Sequence, residues 1–509
     1  MINKNLTSII DDIIKGNLGL FFGAGVSINS GIPTTNIILK KILSALNMSI
    51  YSKQLIALNY PFESFMEELS LHLDIDNFLN IFLEGQPNHF NFLVKKLIDK
   101  GIVKNLMTTN FDLLIEKTPD LNLNNILVDE KSFRNIDDNT INYIKIHGCA
   151  SKKNTIRTTM SQIFKKQLRE GRSNAINYFF KESNIKNILV LGYSCSDNID
   201  ITPIIKNISG SKSQIIFIEH SDKNILKVFN INKHILFNNF QGKWIKCNTD
   251  TFLEECYDKI FGVSIPYKIS KFDIDKYFDF KNIKVGIPEL ILGNIFFKNS
   301  KFDISKVIYE KALLSNKLEK KEKADIYTQL TEVYYNIYLN DDLKKVPDYI
   351  YNLAIDLYEE LKDNYGLGQI FNHIGHIKSG LKLYDEAEKT YNLAESYFKK
   401  VNNKYRIAQI LINKGHVYLT KYENTKNQVD FEKSKDFFYK SDKYFRNSGY
   451  IFEFAILLYN RGCLWAVKPK SKRLALKYLE ESKRYSFIIG DQEGVKLCKE
   501  KIKELNSTK

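Results

Sequence analysis

Two glycines, Gly23 and Gly25, sit in the stretch Leu18 to Pro33 (LGLFFGAGVSINSGIP), where an apolar run breaks into small polar residues and then into a helical pattern. A buried parallel strand, a tight turn and a helix start would aim backbone N–H groups and the positive end of a helix dipole at a phosphate. An ordinary strand-to-helix turn explains the same residues, because the three-glycine dinucleotide fingerprint is not met. Further polar groups fall at the ends of other apolar runs: Thr109, Asn110 and Asp112 after Ile102–Thr109, and His147 after Tyr143–Ile146. Gly192 and Ser194 follow Asn187–Leu191, with Asp197 next, and Glu219 follows Gln214–Ile218. Taken singly, Asp112 can cap a helix, His147 can be a satisfied loop histidine and Ser194 can close a turn.

The elements that would position these residues are five apolar runs, the first being Leu18 to Phe22, separated by helical material. That alternation predicts a doubly wound α/β domain with a parallel sheet. In such sheets ligands bind outside the carboxyl ends of the strands, and the unusual residues all fall at that edge. Helices are expected over residues 4–16, over 34–46, and over 52–100 with an interruption at 85–88.

The 509 residues are enough for two to four domains, and 44% hydrophobic with 13% aromatic content is that of a globular protein. No apolar run approaches the roughly 20 residues that span a bilayer, and the acids near the N-terminus do not suit a signal peptide. A soluble, cytoplasmic protein without membrane contact is expected. Six scattered cysteines with no C-x-x-C pair argue against a disulfide framework and a zinc knuckle. The net charge of +15 comes from lysines that alternate with acids, which argues for solvated surface and against nucleic-acid binding.

Together GAGVSINSGIP (Gly23 to Pro33), TTNFD (Thr108 to Asp112), IHG (Ile146 to Gly148) and GYS with a following Asp (Gly192 to Asp197) resemble the sirtuin NAD-binding domain, in its order and spacing, over about residues 1–265. The resemblance implies that Ala24, Gly25 and Ser27 contact the NAD pyrophosphate. It implies that Asn110 and Asp112 approach the nicotinamide ribose and carboxamide, and that His147 is the catalytic histidine. Ser194 would hold phosphate or ribose, Glu219 the adenosine ribose, and Gly23, Ile32, Thr109 and Gly192 complete the implied binding set. Two departures matter. Protein-deacylating sirtuins usually follow GIP with an acidic residue, phenylalanine and arginine, where this chain has Thr34, Thr35 and Asn36. They usually also carry two C-x-x-C pairs for a structural zinc, absent here. The pattern is instead similar to bacterial sirtuin-like effectors that hydrolyse NAD, many in anti-phage defence. NAD is then substrate rather than resident cofactor, and no metal is expected. Protein deacylation, or nucleotide sensing without turnover, are the alternative readings.

From Pro288 strand signals vanish. Gly293, Tyr335, Gly375, Gly415 and Gly462 share one register, and Ala312, Ala354, Ala394, Ser441 and Ser482 another, spaced 42, 40, 47 and 41. Such units are helix hairpins in which small residues let paired helices approach. They resemble tetratricopeptide repeats with lengthened helices. The 47-residue interval predicts a polar loop around Tyr422–Asp430. His373 and His376, three apart on a helix, have metal-ligand spacing, but packing or groove positions are the preferred reading. The expected layout is a sirtuin-like hydrolase domain at 1–265, a connector at 266–286, and an all-α helical-repeat solenoid at 287–509. The concave repeat surface would take a protein partner or phage trigger, or mediate self-association into a homo-oligomer.

Overall fold

A computed structural model describes residues 4–58, 60–164, 166–195, 201–223, 225–263, 271–278, 280, 283–489 and 491–507. Asp197 and most of the residues between 263 and 283 lie outside the described set. The chain divides into two compact units, residues 1–45, 74–158 and 162–279 forming the first, and residues 46–73, 159–161 and 280–509 the second.

The first unit holds an eight-stranded sheet. Its strands are β1 (Leu18–Phe22), β2 (Val103–Thr108), β3 (Asn125–Leu127), β4 (Asn142–Lys145), β5 (Asn187–Leu191), β6 (Gln214–His220), β7 (Lys227–Asn230) and β8 (Gln241–Cys247). Their spatial order is β3-β4-β2-β1-β5-β6-β8-β7, parallel throughout except for the β7–β8 pair. The five expected runs are β1, β2, β4, β5 and β6. Each apolar run alternates between two cores, as a strand buried on both faces must. Leu20, Phe22, Leu106, Leu189 and Ile216 pack with residues of helices Lys4–Ile14, His89–Asp99 and Thr249–Phe261. Phe21, Met107, Ile144, Ile188 and Ile215 pack on the other side with Ile176, Phe179, Phe180 and Ile205. This is the doubly wound architecture. The chain runs from β1 through β2 to β4 on one side and then crosses to β5 on the other, so the switch point lies between β1 and β5. That is where open α/β sheets bind ligands.

The second unit contains paired helices: Ile287–Lys298 with Phe302–Leu313, Lys320–Tyr338 with Asp348–Glu360, and Asn364–Gly380 with Tyr384–Lys400. Lys404–Thr425 with Gln428–Phe445, and Ile451–Ala466 with Lys472–Ile488, follow, and Gln492–Ser507 ends the series. The small register residues receive a large side chain from the partner helix. A Cβ on Gly293 would meet the Tyr309 ring at 2.2 Å, one on Gly375 the Tyr391 ring at 2.4 Å, and one on Gly415 the Phe438 ring at 2.5 Å. Ser441 and Ser482 donate to the Ala408 and Ala455 carbonyls at 3.0 and 2.8 Å. The expected loop at Tyr422–Asp430 is instead almost all helix: Lys404–Thr425 is simply a longer helix, and only Lys426 and Asn427 separate it from the next. Lys426 takes a left-handed φ of 53°, which turns the chain in one residue. No helix among the described residues is long and apolar enough to cross a membrane.

Candidate functional site

After Phe22 the chain folds into a 3-10 helix, Ala24–Ser30, rather than entering an α-helix directly; the α-helix begins at Thr35. Gly23 and Gly25 prove necessary for packing. A Cβ on either would lie 2.8 Å from the Gly192 backbone, and Gly25 N donates to the Gly192 carbonyl at 2.9 Å. The loops leaving β1 and β5 are thereby pressed together at the switch point. Asn88 fixes the turn from beneath, donating from Nδ2 to the Val26 carbonyl at 2.7 Å.

The loop after β2 is tied to the same turn. Thr108 Oγ1 donates to the Phe22 carbonyl at 2.9 Å and accepts the Asn110 N–H at 3.0 Å. Thr109 N donates to the same Phe22 carbonyl at 3.2 Å. Asn110 then spends its amide protons on the Gly23 carbonyl at 3.2 Å and Ser27 Oγ at 3.1 Å. Ser27 passes its own proton to Asp112 Oδ2 at 2.8 Å, and Asp112 Oδ1 accepts the Leu114 N–H at 3.2 Å. Asp112 caps no helix among the described residues: it closes the turn at Leu114 and is a member of the network. Ser27, Asn110 and Asp112 are all at least nine-tenths buried. One atom of this network is left over: Asn110 Oδ1 is buried and has no hydrogen-bond partner among the described residues. A buried acceptor without a donor is costly, so such an atom marks a place where a ligand or water supplies the proton.

His147 arrives at this edge from β4. Ile146 N donates to the Thr108 carbonyl at 3.0 Å and Ala150 N to the Phe111 carbonyl at 2.9 Å, so the loops after β2 and β4 are stitched together. The His147 ring lies against Phe111, centroids 6.4 Å apart. Gly148, with φ of 97°, permits the turn; a Cβ there would sit 2.2 Å from the Thr155 carbonyl oxygen. Of the other sequence candidates, Ala24, Gly25 and Ser194 are exposed, Thr109 and Gly192 are half-buried, and Gly23 and Ile32 are buried. Glu219 is set apart within β6. Its carboxylate already accepts from Trp244 Nε1 at 2.7 Å and pairs with Lys246 at 2.9 Å.

Lys145 was not among the sequence candidates. It is fully buried, donates to the Asp112 carbonyl and pairs with Glu116 at 2.7 Å. Burial, the largest single influence, would lower its pKa, but Glu116 together with the neighbouring Cys149 and Asp112 outweighs this and raises it. A lysine inside the otherwise apolar run Tyr143–Ile146 was the available signal, since a buried ammonium demands an anionic partner.

Residues 104–235 match the family model described as a SIR2-like domain. The chain carries a SIR2-like domain. The matched span includes Asn110, Asp112, His147, Gly192, Ser194 and Glu219, and it begins after the glycine turn. A SIR2-like domain implies NAD-dependent chemistry, with NAD as substrate or cofactor, and the unpartnered Asn110 acceptor suits a ribose hydroxyl, a carboxamide or a bound water. No curated protein matches the chain. Among solved structures, it is similar to BtubC (BKLC) from P. vanneervenii at 16% identity, covering 45% of this chain and 83% of that one with a TM-score of 0.27. It is also similar to a structure described as "Structural Basis for the Mechanism and Regulation of Sir2 Enzymes" at 14% identity, covering 51% and 98% with a TM-score of 0.25.

Proposed function

We propose that the SIR2-like domain is an NAD glycohydrolase that cleaves the nicotinamide–ribose bond and releases nicotinamide and ADP-ribose. The observation that carries this reading is the Asn110 carbonyl, a buried acceptor immobilised by Gly23 and Ser27 on the loop whose next residue packs against His147. Cleavage sends the C1′–N bonding pair to the nicotinamide ring and leaves positive charge on the ribose. Water adds its oxygen to C1′, and its proton must leave. Asn110 Oδ1 orients that water or the ribose without changing charge, and His147 accepts the proton and passes it to solvent. Fixed donors and acceptors suit this step because they need no reorganisation as charge develops. The absence of paired C-x-x-C cysteines supports hydrolysis over peptide deacylation.

The helical repeats then serve as the control element, holding basal activity low until a protein or phage component engages them, with NAD depletion as the anti-phage output. The test is mass spectrometry of NAD incubated with purified protein, with and without extract of phage-infected cells. Nicotinamide and ADP-ribose are expected under activating conditions and lost in Asn110→Ala and His147→Ala proteins that remain folded by circular dichroism. Turnover by His147→Ala at the wild-type rate overturns the mechanism. Consumption of an acyl-peptide in step with NAD reassigns the domain as a deacylase.

A further inference from the structure

Several buried or half-buried acids of this lysine-rich chain sit against a lysine or arginine: Glu68 against Lys298, Glu116 against Lys145, Glu130 against Arg172, Glu395 against Lys414. Glu332, in helix Lys320–Tyr338, is provided for differently. Among the described residues its basic partners within 4 Å are two imidazoles from the neighbouring helix Asn364–Gly380. His373 Nδ1 lies 2.5 Å from its carboxylate, and His376 Nδ1 lies 3.1 Å from both carboxylate oxygens. The three ligand-type atoms are all within 4.8 Å of one another. Their side chains are 14%, 14% and 22% exposed, which shields the cluster while leaving a way in.

The surroundings hold the rings as a metal site requires. A metal-bound imidazole needs its second nitrogen tied to an acceptor, which fixes tautomer and ring orientation. His376 is hydrogen-bonded to Asn413, whose Nδ2 is already committed to Asn372 at 2.7 Å, so its carbonyl is what remains for the other ring nitrogen of His376. The rings of Tyr335 and Tyr391 pack on His376 at 5.9 and 6.0 Å and limit its rotation. Burial disfavours the Glu332 charge, but the two imidazoles more than offset this and hold its carboxyl far below the usual range.

We propose that Glu332, His373 and His376 bind one divalent transition-metal ion of the zinc class, with a fourth position open to water. Two nitrogens and one carboxylate oxygen are a donor set that Zn²⁺ accepts in three-ligand sites. Tetrahedral bonds of about 2.0–2.1 Å put ligand atoms roughly 3.4 Å apart, so displacements below about 1 Å open the hydrogen-bonded cluster to that geometry. On binding, a neutral ring whose Nδ1–H donates to Glu332 moves that proton through solvent to Nε2, and each Nδ1 lone pair then turns to the ion. A protonated imidazole releases one proton to solvent.

The test uses the untagged full-length protein, stripped with chelator and titrated with Co²⁺. Saturation near one equivalent with visible ligand-field bands is expected, reversed by Zn²⁺. Glu332→Gln and His376→Ala are expected to weaken binding at least tenfold, while His220→Ala, at the exposed end of β6 in the first unit, leaves it unchanged. Absence of saturable binding, or undiminished affinity in both variants, overturns the assignment. Should those variants not fold, zinc-edge X-ray absorption of the wild-type protein decides: two imidazoles in the first shell uphold the site, and a sulfur shell overturns it.

Discussion

Ser27 donates its hydroxyl proton to Asp112 across 2.8 Å, although 85 positions separate them. The same hydroxyl accepts from Asn110 at 3.1 Å, so it joins the glycine turn to the loop after β2 and fixes which way the Asn110 carbonyl faces. Ser27→Ala leaves an Asp112 oxygen and an Asn110 proton buried without partners, at a cost of about 1–3 kcal/mol for each unsatisfied group. The expected result is a lower denaturation midpoint in urea and at least a tenfold loss of nicotinamide release. A variant that loses stability but keeps full turnover would mean that Asn110 orientation does not matter to the chemistry.

Beneath that loop, Lys145 holds the Asp112 carbonyl and the Glu116 carboxylate together. Lys145→Met strips Glu116 of its cation in a site where one of its oxygens, Oε2, is already unpartnered. Breaking a buried pair from one side costs about 3–5 kcal/mol, whereas replacing both partners by apolar residues can be close to neutral. Equilibrium urea denaturation should therefore rank Lys145→Met below the double variant Lys145→Met/Glu116→Leu. The reverse order would show that the pair contributes nothing beyond packing.

How much of this could be read in advance depends on burial. β1, β2, β4, β5 and β6 are central strands, apolar on both faces, and their runs stand out. β3, only Asn125–Leu127, and the β7–β8 pair are at the two ends of the sheet and half-exposed, and lysines interrupt β7 and β8, so their pattern blends into loop. The residues gathered at the sheet edge were legible because polar groups ended apolar runs. The direction of the Asn110 carbonyl was not, since it follows from hydrogen bonds to Gly23 and Ser27 far away in sequence. Helix ends in the repeats were hidden for another reason: Ser300, Lys362, Lys382, Asn402 and Lys426 adopt left-handed φ values without being glycine. The extra residues of the 47-residue interval continue a helical turn pattern, and their polarity alone did not separate helix from loop.

The register glycines of the repeats give a sharper packing test. At Gly375 an added methyl group would meet the Tyr391 ring at 2.4 Å, and that ring is buried and packed against His376. Gly375→Ala should destabilise by about 1–3 kcal/mol, as overpacked cores do, despite alanine's better helix propensity. Gly101→Ala is not a suitable comparison because its φ of 68° is itself strained. The informative partner is Tyr391→Leu, which removes the far edge of the ring. If the double variant is no more stable than expected from adding the two single effects, in thermal unfolding, the two positions do not interlock.

Within the second unit, Glu68 is buried and receives Lys298 at 2.6 Å and Asn294 at 2.7 Å. Burial would raise its pKa, but the Lys298 charge and hydrogen bond overcome this and lower it, while the same contact raises Lys298. A carboxyl with a folded-state pKa below its unfolded value of about 4.3 adds stability that is complete above that pH and is lost as pH falls through the folded value. Lys298→Met inverts the sign. Glu68 then lies buried without its cation, its pKa rises above the unfolded value, and the charged form opposes folding at neutral pH. The penalty should be about 3–5 kcal/mol there and should shrink as acid protonates Glu68. Urea midpoints of wild type and Lys298→Met measured from neutral to acidic pH should therefore converge. A gap that stays constant across that range would show that Lys298 stabilises Glu68 through packing of its stem and not through charge.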